Sequence, residues 1–111
     1  MALAVVLAEW TDQGNRTFWD TVDRSMEGRK FGDDFGIEFK EIIWTPSGPY
    51  DLVIILEGPS LDRIAAFMLL QQSLGSIRAV WMPGYKAEQM DAIITSLSGE
   101  VGAAGENPSS Q

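Results

Sequence analysis

Trp44-Thr45-Pro46-Ser47-Gly48-Pro49-Tyr50-Asp51, running into Leu52-Val53-Ile54-Ile55-Leu56, decides how the rest of the chain is arranged. Proline holds φ at about −65° and glycine accepts positive φ, so Pro46, Gly48 and Pro49 between two β-rich stretches mark a hairpin turn. The strand after it, Leu52 to Leu56, has no polar alternation and has to be covered on both faces. Ala2-Leu3-Ala4-Val5-Val6-Leu7-Ala8 has the same character and reads as a first, central strand. Ile37 to Trp44 alternates at its start, as an edge strand or one with a wet face does. Ile77 to Met82 is a fourth strand, closed by Pro83-Gly84.

Helices fill the gaps between these strands. Thr11 or Asp12 can cap a first helix from about Asn15 to Arg29, with Phe18, Val22 and Met26 at i, i+4 and i+8 predicting its apolar stripe and Trp19 beside that stripe. Ser60 caps a second carrying Leu61, Ile64, Ala65, Met68, Leu69 and Gln72, which ends at Gly75. Ala87 to Leu97 is a last helix with Met90, Ile93, Ile94 and Leu97 on its inner face. The order is βαββαβ with an added C-terminal helix, an α+β fold with a four-stranded antiparallel sheet in which strands one and three are central. Residues 1–98 form this domain, and 99–111, rich in Gly, Ala and Ser, read as a flexible tail that a larger assembly can also use as a linear segment.

Composition limits function more than it assigns it. The 111 residues hold neither cysteine nor histidine, which removes disulfides, thiolate nucleophiles, imidazole bases and Cys or His metal sites together. A net charge of −8 argues against nucleic acid and against anionic membranes, since both are bound by clustered Lys and Arg. The N-terminal apolar run has no basic segment before it and is cut short by Glu9, so neither a signal peptide nor a membrane span is expected and the chain is placed in the cytoplasm. No cofactor or metal is expected: Asp20, Asp23, Asp33, Asp34, Glu38 and Glu41 lack a metal-binding spacing and read as solvated surface.

The candidate chemistry is thin. Asp51, between a turn and a buried strand, can serve as a base or accept hydrogen bonds from the turn's own N–H groups, and turns commonly recruit Asp for the second. Tyr50 beside it can donate a proton or touch a ligand, though a tyrosine there more often anchors the hairpin. Glu9, Glu57 and Arg78 are expected together at one end of the sheet, where Arg78 either pairs with Glu9 or holds a substrate carboxylate. Trp10, Trp44 and Trp81 fall at or near strand ends and line a ligand pocket, fill the core or cement a subunit interface.

Trp10-Thr11-Asp12-Gln13-Gly14, Trp44-Thr45 leading to Gly48-Pro49-Tyr50-Asp51, Ser73-Leu74-Gly75 with Arg78, and Lys86-Ala87-Glu88-Gln89-Met90 together resemble the GYD-domain family. The resemblance covers roughly residues 3 to 97, as one domain of ordinary size does. It implies a ferredoxin-like fold of the dimeric α/β-barrel type, and a family without a common reaction. Two helices cover only one face of the sheet, so a homodimer or higher homo-oligomer is expected through the other. The leading expectation is a binding or regulatory module for a small ligand or a protein partner. The alternative is a metal-free enzyme acting on a small organic acid or aromatic substrate through Asp51, Tyr50 or Arg78.

Overall fold

In a computed structural model that describes residues 1–98, the first apolar run forms strand β1 (Ala2–Trp10). It is followed by α1 (Asp12–Arg16), a 3₁₀ turn at Phe18–Asp20, α2 (Thr21–Asp33), β2 (Glu38–Trp44), β3 (Leu52–Gly58), α3 (Leu61–Ser73), β4 (Ile77–Gly84) and α4 (Ala87–Ser96). The C-terminal stretch expected to be a tail, Gly99 to Gln111, lies outside the described residues. The strands make one antiparallel sheet in the order β2-β3-β1-β4, a ferredoxin-like arrangement. The two strands without polar alternation, β1 and β3, take the two central places.

Along β1 the residues alternate by size rather than polarity. Ala4, Val6 and Ala8 are buried beneath the helices, whereas Leu3, Val5 and Leu7 belong to the opposite face. On the helix side Leu52 and Leu56 of β3 meet Ile64, Phe67 and Met68 of α3. Phe67 is the centre of this layer: the rings of Phe31, Phe35 and Phe39 each lie 5.8 Å from it, in tilted or edge-on geometry. Phe39 and Ile42 both pack on this side because β2 carries a bulge between Phe39 and Glu41, which shifts the pleat by one residue. Gly75, at φ 90°, turns the chain from the end of α3 into β4.

Three helix faces differ from the sequence reading. The expected helix from Asn15 to Arg29 is broken at Thr17, and Phe18, Val22 and Met26 are 41%, 55% and 57% exposed. The face of α2 that meets the sheet instead carries Thr21, Ser25, Gly28 and Gly32. Close approach is the reason at Gly32, where a Cβ would stand 2.9 Å from the carbonyl of Ile37 and no side chain fits; Phe31 beside it is the large residue that reaches the core. On α3, Leu61 and Leu69 face outward and Phe67 faces in. Most plainly, α4 makes at most passing contact with the other elements among the described residues. Its expected inner face is exposed, from 38% at Ile93 to 56% at Ile94, because the extended Lys86 carries the helix onward instead of back over the sheet.

At the hairpin, one residue ties three strands together. The N–H of Asp51 donates to Ala8 at 2.9 Å, its carbonyl accepts from the N–H of Thr45 at 2.7 Å, and its Oδ2 accepts from the N–H of Trp10 at 2.8 Å. The side chain thus binds β1 and not the turn's own N–H groups. Asp51→Asn keeps an acceptor and should lose about 1 kcal/mol or less, while Asp51→Ala leaves the Trp10 N–H without a partner and should lose about 1–3 kcal/mol. Urea unfolding of the two variants checks this, and equal losses would disprove a specific role for the Trp10 bond.

Candidate functional site

Because α2 lays small and polar residues over the sheet, a cleft opens between them. Its cavity volume is about 100 Å³. The sheet contributes Trp10, Phe39, Ile42, Leu52, Ile54 and Ile77, α2 contributes Thr21, Arg24, Ser25 and Gly28, and Gln71 and Ser76 close the far side. A smaller hollow continues inward over Val6, Leu56, Phe67 and Met68. An apolar wall with a few convergent polar groups is the usual make-up of a small-molecule site.

Two polar groups in the wall are held in place. Trp44 donates from Nε1 to the Thr21 hydroxyl at 3.0 Å, which positions that hydroxyl at the cleft. Arg24 donates from Nη2 to the carbonyl of Thr17 at 2.8 Å, in the break between α1 and α2. Its Nε is buried and has no hydrogen-bond partner. No carboxylate lines the cleft among the described residues.

Of the residues singled out in the sequence, Trp10 is in the cleft wall and Trp44 reaches it through Thr21. Trp81 packs against the core from β4, outside the cleft wall. Tyr50 is half-buried in the hairpin, where its carbonyl accepts from the Thr45 hydroxyl at 2.6 Å. Asp51 is engaged with Trp10 as described above. Arg78 pairs across the strands with Glu9, Nε to Oε1 at 3.2 Å, on an exposed part of the sheet.

Glu57 does not join Glu9 and Arg78. Antiparallel pairing sets it opposite Leu3, at the other end of β1, where it binds Lys40 at 3.6 Å. The candidate residues therefore do not converge on one centre. Arg24, Ser25, Thr21 and Gln71 were passed over because an apolar stripe elsewhere on the first helix is the louder signal. The quieter one is the spacing Thr21, Ser25, Gly28, Gly32, which alternates steps of four and three and so lies on one helix face.

No curated protein and no solved structure matches the chain. The family model for the GYD domain matches residues 5–94, which takes in the hairpin, all four strands in whole or large part, and the cleft. The chain belongs to the GYD domain family.

Proposed function

We propose that the protein is a cytoplasmic, homo-oligomeric binding module in which the two faces of one sheet have separate tasks: the face under the helices holds a small ligand, and the bare face meets a second copy. The observation that carries this reading is the bare face itself. The cross-strand rows Ile43–Val53–Leu7–Val80 and Glu41–Ile55–Val5–Met82 run across it, apolar but for one residue. Val80 is 52% and Met82 41% exposed. Charged pairs sit at its ends, Glu9 with Arg78 and Glu57 with Lys40, so an apolar centre has a polar rim, as protein interfaces do.

The sheet edges are poor alternatives. Pro83 removes a donor from β4, and the bulge in β2 disturbs the other edge. Four strands about 4.8 Å apart and about seven residues long at ~3.3 Å each give about 440 Å² of flat face. That is short of the roughly 800 Å² per partner of a standard interface. The projecting α4 supplies the rest, since a helix this short is marginal in water unless its apolar stripe is covered. Two sheets meeting in this way give the dimeric α/β-barrel arrangement. A metal-free enzyme is less well supported, because Arg78 stands away from the cleft and the Asp51 carboxylate is taken up by Trp10.

Light scattering on the full chain at micromolar concentration should give at least twice the chain mass. Val80→Asp places a charge in the centre of the proposed contact and should weaken association by about tenfold or more, with the far-ultraviolet circular dichroism unchanged. A wild-type monomer would overturn the assembly.

A further inference from the structure

We infer that the cleft beside α2 takes a small carboxylate with a compact apolar body, its anionic end bound by Arg24. The inference rests on the reading of that cleft as the ligand site and adds the class of ligand. Among the described residues, the Nε of Arg24 is the one buried side-chain nitrogen or oxygen without a hydrogen-bond partner. Nε itself is closed to solvent, so an anion in the cleft meets the rest of the guanidinium, which shares the charge and lines the wall, through a charge-assisted contact.

The same guanidinium is not loose. Its Nη2 is already tied to the carbonyl of Thr17 at 2.8 Å, so the fork is oriented before anything binds. The chain carries 16 acidic and 8 basic residues, and yet Arg24 makes no ion pair among the described residues. Five of the other seven basic residues make none either, so what singles Arg24 out is its place in the cleft wall, where no acid stands among the described residues. With one cation and no acid in the wall, the cleft matches a single negative charge. A phosphate dianion would call for more positive charge than Arg24 provides. The remaining wall, with Trp10, Phe39, Ile42 and Ile54, suits an apolar body, while Ser25 offers a second polar contact near Arg24.

The test is a titration of the full-length, ¹⁵N-labelled protein with benzoate, benzamide and inorganic phosphate, followed at the Arg24 Nε–H and the Trp10 indole resonances. Benzoate should shift both, and benzamide should bind at least about tenfold more weakly, because it keeps the ring and loses the charge. Arg24→Gln should bring benzoate down to the benzamide level, and Arg24→Lys should fall between. Should Arg24→Gln not fold, the benzoate and benzamide comparison in the wild-type protein decides alone. Equal binding of benzoate and benzamide at these resonances would overturn the carboxylate assignment and leave the cleft as a ligand site. Tighter binding of phosphate at Arg24 would overturn it as well. No shift of either resonance with any of the three would overturn both the assignment and the reading of the cleft as the ligand site.

Discussion

Two helices can cover one face of a four-stranded sheet, and in this chain the two central strands are apolar on both. The rest of the architecture follows from that mismatch. In β1 the smaller residues, Ala4 and Ala8, lie under the helices, and the larger ones, Leu3, Val5 and Leu7, lie on the bare face. Evenly solvated sheet faces carry polar residues on the wet side, so this order of sizes is the reverse of what water would select. Bulk on the bare face is useful only if something packs there.

Small residues between helix and sheet have a second consequence. Gly28 and Gly32 bring α2 close to Ile37 and Phe39 at one end, where Phe67 and its aromatic neighbours fill the space. Toward the other end α2 carries the short side chains of Thr21, which meets the Trp44 indole, and Ser25. The gap left there is the cleft. It exists because the large residues nearby lie elsewhere: Val22 and Met26 of α2 are exposed, and in the 3₁₀ turn before it Phe18 stacks on Trp19 at 4.3 Å and on Trp10 at 6.3 Å.

Strand order, the hairpin and the caps at Thr11 and Ser60 were legible because each depends on local chemistry: uninterrupted apolar runs, turn residues, and hydroxyls that accept from helix N–H groups. The inner face of α2 was not. Periodicity finds the side on which large apolar residues gather, and it assumes that this side is buried within the same chain. Here Val22 and Met26 gather on a side that α2 does not bury, while the inner side carries Phe31, polar residues and Gly32, whose role depends on a neighbour, Ile37, that is close only after folding. The same assumption misplaced α4. Its stripe is well formed and is exposed among the described residues. Arg24 carries no signal in the sequence at all, since its importance lies in a missing partner, and only coordinates reveal that.

Asp51 links the two faces. Its backbone holds β2, β3 and β1 in register at one end of the sheet, and its carboxylate fixes the backbone of Trp10, whose side chain forms part of the cleft wall. On the next residue back, Glu9 pairs with Arg78 on the bare side. Adjacent residues of one strand therefore serve the cleft and the bare face in turn, as the alternation of a strand requires. The Asp51 carboxylate acts on the cleft wall through Trp10 without lining the cleft itself. An acid beside a turn, read alone, can be a base or a local acceptor; here its carboxylate accepts from a neighbouring strand, and the setting of Trp10 depends on it.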